Sequence, residues 1–197
     1  MVELDLAEPV CDPAHERLFA TEVNSGGIRE ISLRDGTQRR TEVGGFNLQY
    51  MRRSDGMLVG IDTARLVVFD PDARRVLERH AAGLGVMGID VCLADDAVAI
   101  TDMAGRVRVF ERAPSGEYRF HAGVSLSAPR RIAFSPDCRM IGVTSADDHT
   151  VWSLRRADLT VARRYQVGPG LRDISFVGPR QMAVADACMA TFLDAGD

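Results

Sequence analysis

An internal repeat sets the architecture of this chain. The acidic residue that closes the second short apolar run of each unit recurs at Glu22, Asp62, Asp102, Asp147 and Asp186, at separations of 40, 40, 45 and 39 residues. A second, independent anchor is the large apolar residue late in the next run, at Leu33, Phe69, Phe110, Leu154 and Phe192, with nearly the same spacing. Two residue types in one register define five units. A repeat of about forty residues is one supersecondary unit that cannot bury its apolar face alone, so the units must stack on one another.

Each unit reads as a four-stranded antiparallel meander. In the fourth, Ile132 and Phe134 alternate with small or polar neighbours, Ser135-Pro136-Asp137 supplies turn chemistry, and Ile141 and Val143 alternate again. The second has Leu48 and Tyr50, the turn Ser54-Asp55-Gly56, Leu58, and then Leu66-Val67-Val68-Phe69. The third has Ile89 and Val91, Asp95-Asp96, Val98 and Ile100, and Val107-Arg108-Val109-Phe110. Helical periodicity never persists beyond a few residues.

Segments such as Ile100-Thr101-Asp102-Met103-Ala104-Gly105-Arg106-Val107-Arg108-Val109-Phe110 and Ile132-Ala133-Phe134-Ser135-Pro136-Asp137 resemble the blades of WD-repeat and YVTN-type β-propellers. The resemblance runs over essentially the whole chain and implies an all-β propeller of four-stranded antiparallel blades, a fold that hosts unrelated activities. The Trp-Asp pair of a standard third strand is replaced by Leu33-Arg34, Phe69-Asp70, Phe110-Glu111, Leu154-Arg155 and Leu193-Asp194. His80 and His121 stand near the ends of fourth strands without the family's Gly-His order.

The blades are expected at about 7–44, 45–85, 86–128, 129–170 and 171–197. The fifth is one strand short, and Val2 to Leu6, which alternate apolar and acidic side chains, fit as its missing outer strand. That would close a five-bladed ring and remove an exposed edge. The alternative is that the chain is part of a larger propeller.

Charge and cysteine usage narrow the function. A net charge of −4 argues against a general nucleic-acid binder, which needs a basic surface. No apolar run is long enough to span a membrane. The start Met1-Val2-Glu3-Leu4-Asp5 has neither a basic nor an apolar leader region, which leads us to expect a cytoplasmic protein. Cys11, Cys92, Cys138 and Cys188 are far apart with no CxxC pair, so reduced, partly buried thiols are expected. All 24 basic residues are arginine, whose planar donors suit carboxylates.

Candidate chemistry is thin. The four aspartates of the repeat stand where second strands turn into third strands, a position at which Asp binds backbone N–H groups. Asp90 and Asp173 lie in or beside first strands and are the best placed for paired acid/base work, yet aromatic platforms for a sugar are scarce, with 6% aromatic residues. His15, His80, His121 and His149 lack metal-binding spacing, Gly83-Leu84-Gly85 is a loop rather than a phosphate cradle, and no nucleophile elbow is present. No catalytic residue, metal or cofactor is expected. Of the arginine pairs, those at 39, 74 and 163 enter outer strands, whereas Arg130-Arg131 opens a first strand.

The expected function is that of a non-catalytic protein-interaction or scaffold module. Its partner-binding face comprises the loops joining fourth to first strands and second to third strands, with Phe46, Asn47, Met87, Arg130, His149 and Arg172 as contacts. The alternative is a propeller that binds or processes a glycan or other small ligand in its central channel.

Overall fold

The computed structural model describes residues 6–22, 26–43, 50–54, 56–62, 64–145, 147–186 and 189–196. Every sheet in it is antiparallel, and five sheets follow one another along the chain in meander order. They fall into two compact units, Met1–Ala81 and Ala82–Asp197.

In the first unit, sheet one comprises β1 (Leu6–Asp12), β2 (Arg17–Glu22), β3 (Gly27–Ser32) and β4 (Gln38–Glu42). Sheet two comprises β5 (Tyr50–Ser54), β6 (Met57–Ile61), β7 (Arg65–Asp70) and β8 (Arg75–Ala81). Phe19, Ile28 and Val43 meet Leu58, Val67 and Phe69 in a core between them. Arg79 and Arg74 of sheet two donate to the Val43 and Arg40 carbonyls of sheet one, at 2.8 and 3.0 Å.

In the second unit, sheet three holds β9 (Val86–Cys92), β10 (Ala97–Asp102), β11 (Arg106–Arg112) and β12 (Tyr118–Ser125). Sheet four holds β13 (Pro129–Phe134), β14 (Met140–Ser145), β15 (Thr150–Arg155) and β16 (Val161–Gln166). Sheet five holds β17 (Asp173–Gly178), β18 (Gln181–Ala185) and β19 (Ala190–Asp194). First strands lie side by side, β9 against β13 and β13 against β17. The second strands β10 and β14 are buried along their whole length, whereas β18 of sheet five alternates between buried and partly exposed positions. Fourth strands are largely solvated. This gradient explains the sequence: Ala-Val-Ala-Ile in β10 is continuous apolar chain, whereas β12 and β16 carry arginine and polar residues.

The sheets pack closely enough to dictate small residues. A Cβ added at Gly142 in β14 would lie 2.7 Å from Ile174 Cδ1, so sheet five approaches sheet four only because that side chain is missing. Side chains also pin backbone across sheets. Thr101 Oγ1 donates to the Arg130 carbonyl at 2.6 Å, and buried Ser153 Oγ donates to the Ala195 carbonyl at 2.6 Å.

Three sequence expectations change here. The late-strand anchor holds at Phe69, Phe110 and Leu154, but Leu33 lies in a turn with 54% exposure and Phe192 points outward with 61% exposure. The equivalent positions by pairing are Ile31, opposite Leu18, and Leu193, opposite Met182. Leu6 is not the outer strand of the fifth unit, since it pairs with Glu22 in sheet one. Residues 2–5 lie outside the described residues, among which sheet five has three strands. Cys92 and Cys138 are not free thiols but a disulfide, with Cα atoms 5.7 Å apart. It joins the end of β9 to the β13–β14 turn. Cys11 is free and exposed, and Cys188 lies outside the described residues.

Candidate functional site

The loops that precede first strands and those that join second to third strands emerge at one end of the sheets of the second unit. Arg130 is exposed at the start of β13, and Arg172 is exposed just before β17. With Arg131, Gly170 and Leu171 they surround a cavity of about 370 Å³. Arg131 Nε donates to the Arg172 carbonyl at 3.3 Å, and the Arg172 N–H is held by the Ala185 carbonyl at 2.9 Å. Arg130 and Arg131 lie in a register shift of the β13–β14 ladder, where the Arg131 N–H donates to Thr144 Oγ1 at 3.0 Å and the Arg130 carbonyl accepts from Thr101 Oγ1, while the Arg130 and Arg172 side chains reach solvent. Among the described residues, no carboxylate lines this cavity.

The other expected contacts among the described residues are not brought into this group. Met87 is half-buried in β9 and His149 half-buried in the β14–β15 turn, and neither lines the cavity. His149 takes a left-handed φ of 52°, its carbonyl accepts the Val167 N–H at 2.9 Å, and its buried ring Nδ1 meets no hydrogen-bonding partner among the described residues. Beside it, burial would raise the Asp148 carboxyl, but hydrogen bonds with Ser145 and Thr150 and the charge of Arg164 hold it below the usual range. Phe46 and Asn47 lie outside the described residues.

The repeat aspartates do the structural work expected at three of four turns. Asp62 Oδ1 accepts the Ala64 and Arg65 N–H groups at 3.0 and 2.8 Å. Asp102 Oδ1 accepts that of Arg106 at 3.0 Å, and Asp186 Oδ1 that of Met189 at 2.8 Å. At the fourth turn Ser145 Oγ accepts the Asp148 N–H at 3.4 Å while Asp147 is exposed. Glu22 instead pairs with Arg29 and Arg40. Asp90 and Asp173 are likewise engaged with backbone, Asp90 Oδ2 accepting the Phe134 N–H at 2.7 Å and Asp173 Oδ1 that of Ile174 at 2.9 Å.

A second cavity, of about 580 Å³, opens at the other end of sheets three and four. Its lining includes Asp95, Glu111, His121, Cys138, Arg139 and Arg156, contributed by the β9–β10, β13–β14 and β15–β16 turns and by β11 and β12. Arg156, only 14% exposed, pairs with Asp95 and with Glu111 Oε1 at 2.7 Å, and Glu111 Oε2 stands 3.3 Å from His121 Nδ1. Both carboxylates are therefore tied to one guanidinium rather than free as an acid/base pair. Sequence reasoning missed this site because its residues come from two repeats and form no motif in either.

No family model matches the sequence, and no curated protein is similar to it in sequence. In structure the chain is similar to Kuenenia stuttgartiensis hydrazine synthase, with a TM-score of 0.76 at 14% identity over 98% of this chain. It spans 64% of the length of that hydrazine synthase chain. The likeness extends over nearly all of the meanders and concerns the fold alone.

Proposed function

We propose that this protein is a non-catalytic docking module, its five meanders forming the blades of a propeller, and that the mouth formed by Arg130, Arg131 and Arg172 receives an acidic segment of a protein partner. The observation that carries the proposal is that Arg130 and Arg172, both exposed, line with Arg131 one cavity of about 370 Å³ in which, among the described residues, no carboxylate is found. Guanidinium groups bind carboxylates through paired N–H donors and are enriched at the centres of protein interfaces. The side-by-side first strands of the second unit and the likeness over 98% of the chain support the blade arrangement. The engagement of Asp90 and Asp173 with backbone N–H groups favours docking over acid/base chemistry.

The test is titration of an Asp/Glu-rich peptide into the wild-type protein and into the Arg130→Glu, Arg172→Glu double variant. Wild type should bind with an affinity that falls as salt rises, because the contacts are exposed charges. The double variant should lose about tenfold or more while melting at the wild-type temperature. Equal binding by both proteins, or a loss reproduced by Arg163→Glu, Arg164→Glu on the outer strand β16, would remove the mouth as the docking point. Binding of neutral oligosaccharides in place of the peptide would favour a small-ligand site instead.

A further inference from the structure

We propose that Cys92, Cys138 and Asp95 form a redox-gated site for a thiophilic divalent cation, zinc being the fitting ion. The two sulfurs and one Asp95 carboxylate oxygen lie within 4.8 Å of one another, brought together from the end of β9, the β9–β10 turn and the β13–β14 turn. The sulfurs are bonded as a disulfide, which excludes a metal. When a dithiol reductant supplies two electrons and two protons, the S–S bond breaks, the reductant becomes its own disulfide, and two thiols remain. Zinc then displaces both thiol protons to solvent and takes two thiolates and one carboxylate.

The geometry suits either state. Zinc holds its thiolates at about 2.3 Å, which places two sulfurs about 3.7 Å apart in a tetrahedron. Side-chain rotation provides that separation on Cα atoms 5.7 Å apart. The cysteines are 2% and 3% exposed in an apolar cluster with Ile132, Phe134 and Leu159, where a pair of thiolates needs a cation beside it. Asp95 is 53% exposed at the side chain and lines the cavity of about 580 Å³ that also reaches Cys138. That cavity admits both the reductant and the ion, and leaves room for water as the fourth ligand. Arg156 donates to the Asp95 carboxylate, the outer-shell contact that fixes a ligating group. Three anionic donors around zinc leave one negative charge, which faces the Arg156 guanidinium.

The full chain, reduced with dithiothreitol and desalted under argon, should bind one equivalent of cobalt. The spectrum should show thiolate-to-cobalt charge transfer and the visible bands of a four-coordinate ion, and zinc should displace it. The oxidised chain should show none of this. Arg156→Gln should weaken zinc retention about tenfold against a chromophoric chelator, and Asp95→Asn should weaken it at least as much while the charge-transfer band persists. Cys138→Ser should abolish the band. A reduced chain that keeps its β-sheet circular dichroism but shows no charge transfer overturns the proposal. So does one that loses that spectrum and does not regain it with zinc, and an Asp95→Asn variant of undiminished affinity removes the carboxylate from the site.

Discussion

The Asp90 carboxylate in β9 accepts the backbone N–H of Phe134 in β13 at 2.7 Å, tying the inner strand of sheet three to that of sheet four. Phe134 is buried, so loss of this acceptor leaves its N–H at the edge of the core with poor access to water. Asp90→Ala should therefore cost about 1–3 kcal/mol, the range for stranding a buried donor. Asp90→Asn, whose amide oxygen can still accept, should cost less. Urea midpoints at neutral pH distinguish the two, and identical midpoints for wild type and Asp90→Ala would show that the contact carries no stability.

Two phenylalanines that look alike in the repeat should behave differently. Phe110 is 2% exposed and meets the Phe120 ring edge-on, with centroids 6.0 Å apart, whereas Phe192 is 61% exposed. Phe110→Ala should cost about 3–5 kcal/mol. Phe192→Ala should stay within about 0.5 kcal/mol. Thermal and urea unfolding of both variants checks the strand register, and comparable losses at the two positions would contradict it.

That pair also marks how far the sequence could be read. Turn residues and period-two alternation made the meanders legible, because a strand with two unlike faces writes its pleat into the chain. In β19, Phe192 and Leu193 are adjacent and both apolar, so alternation has no polar partner to set its phase, and only pairing of Leu193 with Met182 decides which side faces inward. The Cys92–Cys138 bond joins positions 46 residues apart in two different repeats, a separation no motif records. That Arg130 and Arg172 stand at one end of the sheets was legible because both lie at the starts of first strands, where the repeat fixes the end of the sheet.

A matching pair of hairpins offers a measurement of backbone strain. Gly36 and Leu159 stand at the same place in the β3–β4 and β15–β16 turns: each donates to the carbonyl four residues earlier, at 3.0 and 2.8 Å, with φ of 72° and 56°. Among the described residues nothing lies within 4 Å of a Cβ at Gly36, so Gly36→Ala meets only the left-handed backbone and should cost about 1–2 kcal/mol. Leu159 accepts that strain because its side chain is 2% exposed in the core. Leu159→Gly should relieve the strain yet lose the burial, for a net loss of about 1–3 kcal/mol. A neutral Gly36→Ala in urea unfolding would sink the comparison.

The same hairpins predict a pH dependence. The Asp35 carboxyl is lowered from 3.8 to about 2, first by the Thr37 backbone N–H and then by the Ser32 and Thr37 hydroxyls. Asp158 is lowered in the same way, first by the Thr160 N–H and then by its hydroxyl. A carboxyl with a depressed folded value contributes stability above its unfolded pKa and loses it as pH falls through the folded one. Stability should therefore decline between pH of about 4 and about 2, and the Asp35→Asn, Asp158→Asn variant should decline less steeply there. Urea midpoints across that window give the two slopes, and coincident slopes would show that these turns do not couple to protonation.

The last prediction concerns the Cys92–Cys138 bond as a mechanical restraint. It closes a segment spanning 46 residues between sheets three and four, and in the chain-entropy account a loop of that length restricts the unfolded state by about 4 kcal/mol. Engineered and native disulfides deliver about 2–4 kcal/mol in practice, so reduction with dithiothreitol, with a chelator present to exclude metal, should lower stability by that amount. Because the effect acts on the unfolded chain, reduction should also steepen the dependence on urea as the released segment exposes more surface. A Cys92→Ala, Cys138→Ala variant is a poorer test, since both sulfurs lie in the core and truncating them also removes packing. Equal midpoints for oxidised and reduced protein, with free thiols counted in each, would mean that the two sheets are held by their apolar contacts alone.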